Sequence, residues 1–303
     1  MKKTPPSPFD LHYYGKEAFA LKVGYYQLWF EYLAMSPSYE LARRCRAKVW
    51  THKERASKPA DFDRVLEVYD DLDDVRRILF ETWWRERGLK HFGYQGKRPS
   101  VEKVADVERS NDKEPYLGDA TKKFMDGPWR EQGRQRTMII AIPIDMPRGR
   151  IIKQVKALLG KNPADEPTLH LFPADYPLVD DKKLYDKAFI GYLKALWARC
   201  ANPKDHLWEI GAEAKIGETY KRLSLNAVRN DSTAGDMDTL KTTTHRAIDR
   251  GKMIAENAAR GIFPSFKECP NAIPFDFKAL GKMRANRIDW QKANGENLDI
   301  LKR

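Results

Sequence analysis

The sequence predicts a mainly α protein with a small α/β insertion. It reads as a helical N-terminal unit, a short sheet near the middle and a helical C-terminal unit holding a helix-turn-helix-like region. Three observations carry this prediction. Apolar residues recur at three- and four-residue spacing in both terminal thirds, the period of helices that bury one side. One short, continuous apolar run, Thr137 to Ile144 (TMIIAIPI), has the composition of a strand. Between the N-terminal helices and that run, residues 93–119 turn polar and lose all periodicity. The resulting division is a helical, aromatic-rich domain over 1–95, a polar linker over 96–127, a small α/β unit over 128–175 and a basic helical domain over 176–303.

Each element has its own signal. The run from Ala18 to Met35 is rich in aromatics and predicts a deeply buried helix. Ser36-Pro37 supplies an N-cap and a first-turn proline for a second helix through Trp50, with Glu40 placed to pair with Arg43 and Arg44. Asp61 opens a third helix that turns Phe62, Val65, Leu66 and Tyr69 to one side. A fourth is expected from Asp73 to Arg87, its opening acids and closing arginines matching the helix dipole. The acidic cluster Asp70, Asp71, Asp73 and Asp74 lacks the glycine and terminal glutamate of a calcium loop and is read as capping. The pairs Tyr13-Tyr14, Tyr25-Tyr26 and Trp83-Trp84 lie in periodic apolar context and are read as core rather than base-stacking surface.

Pro143 inside the TMIIAIPI run points to a strand end or an edge. A helix follows from Pro147, periodic through Ile151, Ile152, Val155, Leu158 and Leu159 and closed by Gly160, and Thr168 to Phe172 reads as a second strand. Helical texture returns over 182–199, 207–223 and 240–260, the last two separated by a polar loop over 226–236.

The charge points to a partner. The 303-residue chain has 55 Lys and Arg against 43 Asp and Glu, a formal +12. Such an excess favours polyanions, because neutralising phosphates releases counterions. The segment Asp238 to Pro264 concentrates the argument. Leu240, Ala247, Ile248, Ile254, Ala255 and Ala258 form a packing stripe, and away from it stand Lys241, Thr242, Thr243, His245, Arg246, Arg250, Lys252 and Arg260. In the nucleic-acid-binding reading Lys241, Arg246, Arg250 and Lys252 meet phosphates, and Thr242, Thr243 or His245 lie nearest base edges. The segment Leu207 to Leu223 offers a supporting helix with a turn at Gly217. A second basic concentration comprises Arg130, Arg134, Arg136, Arg148, Arg150, Lys153 and Lys156; of these Arg148, Arg150 and Lys153 are assigned to nucleic-acid contact.

Catalytic and cofactor signatures are missing. There is no Walker A sequence, GxGxxG, GxSxG or HExxH, and the six histidines are dispersed. The three cysteines, Cys45, Cys200 and Cys269, form no metal-ligand spacing and read as reduced thiols. The reading is therefore non-enzymatic, with no cofactor and no metal. One enzymatic alternative stands: Asp205 with the triplet Glu213-Ala214-Lys215 has the order of residues found in magnesium-dependent nucleases of the PD-(D/E)xK type, although the context is helical where that fold uses a strand. A further alternative is a structural subunit of a larger nucleoprotein complex. Two lysines at the start with no apolar run behind them, and no stretch of eighteen apolar residues, predict a cytoplasmic protein with no membrane partner.

The stretches YYQLWFEYLAMSPSYELARR, AIPIDMPRGRIIKQVKALL and HRAIDRGKMIAENAARGIFP resemble uncharacterised proteins encoded on bacterial plasmids and integrative mobile elements. The resemblance spans much of the chain and brings no defined catalytic residues. It implies a bacterial cytoplasmic protein, a regulator or accessory factor, with a DNA-facing role in a mobile element.

Overall fold

The computed structural model describes residues 13–14, 18–107, 116–134, 136–159, 174–179, 186–223 and 225–295. In chain order the elements are β1 (Tyr13–Tyr14), β2 (Ala18–Ala20), α1 (Val23–Leu33), α2 (Pro37–Arg46), α3 (His52–Ala56), α4 (Phe62–Leu72) and α5 (Phe80–Trp83). A π-helical turn (Trp84–Gly88) leads into α6 (Leu89–Phe92), β3 (Tyr94–Gln95), α7 (Tyr116–Asp126), α8 (Pro128–Glu131) and α9 (Arg148–Leu159). Then come α10 (Asp186–Ala201), α11 (Leu207–Glu213), a 3-10 turn (Thr219–Arg222), α12 (Ala234–Ala258) and α13 (Phe277–Ala293). The protein is mainly helical with a small antiparallel sheet.

Two compact units form. The first joins residues 21–92 to residues 175–295, so the helical segments that the sequence reading sets apart share one core; the second contains residues 13–20 and the described part of 93–174. In the first unit α12 packs against α10, α11 and α1, while α2 packs on α4 and α10 on α13. Aromatic rings fill the centre. Trp29 is fully buried, with Phe92 at 4.7 Å and Phe263 at 5.1 Å between ring centroids, and its indole N–H donates to the Ala258 carbonyl at 3.2 Å. Phe30 meets Trp83 at 4.9 Å, and the Trp83 indole donates to the Leu72 carbonyl. Tyr25, Tyr26, Trp83 and Trp84 are all buried, as core residues should be, whereas Tyr13, also read as core, is exposed at the edge strand β1.

Local chemistry explains where helices start. Ser36 caps α2: its hydroxyl accepts from the Tyr39 amide, and Pro37 takes the first position where no N–H is needed. The fourth helix does not begin at Asp73. That residue has φ 61, outside helical space; the Asp74 carboxylate accepts from the Arg76 amide, and helix resumes only at Phe80. The acidic cluster accordingly caps nothing. Asp70 pairs with Arg46, Asp73 with Arg87, and Asp71 accepts from the Tyr176 hydroxyl. Asp61, at the start of α4, makes no cap hydrogen bond because its carboxylate is committed to Arg260.

The second unit departs furthest from expectation. Residues 137–144 form no strand; the run joins no sheet, and Met138, Ile139, Ile142 and Ile144 are exposed. Its composition signals burial, but a strand also needs a neighbouring strand, and none lies beside it among the described residues. The sheet is instead built from β1, β2 and β3, with Tyr13 opposite Ala20 and Phe19 opposite Tyr94. These strands are too short to leave a periodic signature, and Phe19 stacks on Tyr94 at 5.2 Å. Thr168 to Phe172 lies outside the described residues. Part of the expected linker is helical as α7, which packs on α8.

Helix α13 has no counterpart in the sequence reading. Its inward positions include Arg287 and Gln291 beside Leu280, so no apolar stripe marks it. It approaches α10 through Gly281, where a Cβ would come within 2.2 Å of the Cys200 carbonyl oxygen. Gly281→Ala is expected to lower the urea midpoint: overpacking against backbone costs about 1–3 kcal/mol, more than the roughly 1 kcal/mol of helix propensity that alanine adds. An unchanged or higher midpoint would mean that the α10–α13 contact is looser than described.

Candidate nucleic-acid interface

Helix α12 places its residues on two sides as its spacing predicts. Met237, Leu240, Thr244, Ala247, Ile248, Gly251 and Ile254 are buried, and Lys241, Thr242, Thr243, His245, Arg246 and Arg250 are exposed. It starts earlier than expected, at Ala234, and the added turns bring in Asp236 and Asp238. The whole helix then carries Lys241, Arg246, Arg250 and Lys252 against Asp236, Asp238, Asp249 and Glu256, a balance of zero.

Most of these charges already have partners. Arg222 bonds Asp236 through two nitrogens, at 2.9 and 2.7 Å, and Arg229 does the same to Asp238, holding both carboxyls below their ordinary values. Lys252 lies 2.7 Å from Asp249, and His245 Nδ1 is 3.0 Å from the same carboxylate. Arg250 donates to the Tyr192 hydroxyl at 2.7 Å and stacks over the Tyr192 and Phe266 rings. Thr242 and Thr243 donate their hydroxyl protons to the Asp238 and Thr239 carbonyls, which leaves them only acceptor capacity toward a base edge. Lys241 and Arg246 remain exposed without an ion pair among the described residues.

Arg260, which its spacing sets outside the stripe, is buried. Its guanidinium spans Asp61 Oδ2 at 2.7 Å, Glu256 Oε2 at 3.0 Å and the Asn271 carbonyl at 2.9 Å. Burial alone would raise the Asp61 carboxyl, but hydrogen bonds from Arg260 outweigh it and hold that group below its ordinary value. This residue belongs to the core, not to a ligand surface.

Helix α9, in the second unit, differs in kind. It carries Arg148, Arg150, Lys153 and Lys156 and no acidic residue, all four cations are exposed, and none makes an ion pair or side-chain hydrogen bond among the described residues. At 3.6 residues per turn Arg150, Lys153 and Lys156 follow one side while Ile151, Ile152, Val155, Leu158 and Leu159 follow the other. No residue of α9 is buried, and Ile152, Leu158 and Leu159 are exposed. Arg134 and Arg136, also exposed, precede it, whereas Arg130 lies 3.1 Å from Asp126.

The residues of the nuclease alternative do not assemble into a metal centre. Glu213 ends α11 and accepts from the Asn202 amide at 2.8 Å; Lys215 follows the helix at φ 55; Asp205 contributes its backbone carbonyl to Arg199. The triplet is on a helix end, not a strand, and no group of three or more His, Cys, Asp or Glu suited to a metal ion occurs among the described residues. Among the described residues a 3-10 turn (Thr219–Arg222) and residues up to Thr233 separate α11 from α12, a longer connection than the tight turn of a helix-turn-helix, and the two helices pack together. No described helix is long and apolar enough to cross a membrane. Comparison of the chain with protein-family models, curated proteins and solved structures gave no match.

Proposed function

We propose that the protein is a non-enzymatic nucleic-acid-binding protein, an accessory factor that grips duplex DNA by its phosphates through the cationic side of α9. The observation that carries this reading is the unbalanced charge of that helix: four exposed cations, no acid and no internal partner among the described residues. Arg150, Lys153 and Lys156, which share one side, neutralise phosphates at no cost in broken ion pairs. The helix has no aromatic residue on which an unpaired base could stack, which favours duplex over single strand. Lys241 and Arg246 on α12, in the first unit, are a separate and weaker candidate for phosphate contact.

Fluorescence anisotropy with a labelled duplex across a salt series tests the proposal. The triple variant Arg150→Gln/Lys153→Gln/Lys156→Gln is expected to weaken binding uniformly across DNA sequences and to flatten the log–log salt slope by about 0.9 for each phosphate that is no longer neutralised. Lys241→Gln/Arg246→Gln should change it less. Equal affinity and slope in wild type and triple variant would remove α9 from the interface. Duplex incubated with magnesium should stay intact; cleavage that disappears in Glu213→Ala would move the reading to the nuclease.

A further inference from the structure

An open pocket of about 230 Å³ lies in the first unit among α10, α11 and α13. Three cations from three separate elements line it: Lys194 of α10, Lys215 just after α11, and Arg284 of α13. The one carboxylate in its wall, Glu213, is already hydrogen-bonded to Asn202. Arg284 is half-buried, with its guanidinium carbon 4.5 Å from the centre of the Trp197 ring. That stacking fixes the plane of the guanidinium and leaves its in-plane N–H donors for a ligand. Neither Arg284 nor Lys215 has a carboxylate within ion-pair distance among the described residues.

Cations outnumber carboxylates three to one among the residues that line the pocket. Burial lowers the pKa of Arg284, and burial together with the charge of Lys215 lowers that of Lys194. Both effects oppose the charged forms, and an anion in the pocket reverses them. The close packing of α13 on α10 at Gly281 holds Arg284 in place, so the site is built before a ligand arrives. Its volume falls below the roughly 300–1,000 Å³ of pockets that enclose whole drug-sized ligands. A small tetrahedral group with several acceptor oxygens matches both the size and the donors, a planar guanidinium fork and two ammonium groups.

We infer that this pocket binds a phosphate dianion, either free or as the terminal phosphate of a larger molecule. The inference is independent of α9: an internal phosphodiester carries one charge and is flanked by sugars, whereas a terminal phosphate presents up to two charges and three free oxygens.

Isothermal titration calorimetry on the full chain with inorganic phosphate, against chloride at equal ionic strength, reads this directly. Saturable one-site binding is expected, weakened about ten-fold or more in Lys215→Gln/Arg284→Gln. Lys215→Gln alone changes an exposed side chain and should fold normally with a smaller, measurable loss, and Arg284→Lys should bind more weakly than wild type because the fork is gone. A nucleoside 5′-monophosphate and a 5′-phosphorylated oligonucleotide, each against its 5′-hydroxyl form, separate free from terminal phosphate as the source. The α9 triple variant should bind inorganic phosphate as wild type does. Phosphate heats equal to those of chloride, or equal affinity in wild type and all three pocket variants, would overturn the inference.

Discussion

Glu256→Ala is expected to destabilise the protein by about 3–5 kcal/mol, the cost of removing one member of a buried charged network. Glu256 is fully buried near the end of α12 and accepts hydrogen bonds from five groups. They are the Ser36 hydroxyl at 2.7 Å, the Ser38 amide at 3.1 Å, the Ser38 hydroxyl, the Ile273 amide at 3.3 Å and Arg260 at 3.0 Å. Alanine would leave the Ser36 and Ser38 hydroxyls and the Ser38 and Ile273 amides without this acceptor, while Arg260 would keep Asp61 and the Asn271 carbonyl. Glu256→Gln is expected to cost less, about 1–3 kcal/mol, because one amide oxygen still accepts while the new N–H₂ faces donors. Urea denaturation followed by circular dichroism gives both values. A loss below about 1 kcal/mol for the alanine variant would show that water or rearranged side chains satisfy the network.

The second large effect concerns Glu31 of α1 and Arg287 of α13, joined by two hydrogen bonds of 2.6 Å inside the core. Glu31→Ala is expected to cost about 3–5 kcal/mol, since it leaves a guanidinium buried over the Phe30 ring without its counter-charge. Replacing both partners, Glu31→Leu with Arg287→Met, should recover most of that loss, because the desolvation cost of the pair disappears with its attraction. The double-mutant cycle measures the coupling directly. Strict additivity of the two single variants would mean that the charges act independently of each other, against the geometry.

How much of this is legible in the sequence depends on the kind of signal. The Ser36-Pro37 cap, the stripe of α12 and the burial of Tyr26 and Trp83 all follow from local chemistry, and all are present. TMIIAIPI misleads because apolar composition reports a tendency toward burial and carries no information about a pairing strand. Helix α13 leaves no trace because its inward side holds an arginine and a glutamine, and the arginine becomes acceptable only once Glu31, far away in sequence, is in place. Glu256 and Arg260 are hidden for the same reason: their partners at 36, 38 and 61 lie in another part of the chain. The α12 cations are readable as residues, but the pairing of this helix with Arg222 and Arg229, and of its cations with Asp249 and Tyr192, is not. Lys194 and Arg284 are brought to Lys215 only by the packing of three helices.

The long reach of the contacts around Glu256 and Arg260 also sets the order in which the first unit can form. Trp29 waits for a carbonyl 229 residues later, Ser36 for a carboxylate 220 residues later, and Glu31 for an arginine 256 residues later. Such separations carry a loop-closure entropy that must be met before these contacts reward it. During synthesis the aromatic helices of the N-terminal part emerge first and reach their partners last. Until α12 and α13 leave the ribosome, the rings of residues 23–92 can pack only on one another, as Trp29 does on Phe92 and Phe30 on Trp83, while the Trp29 indole N–H and the Glu31 carboxylate wait for Ala258 and Arg287.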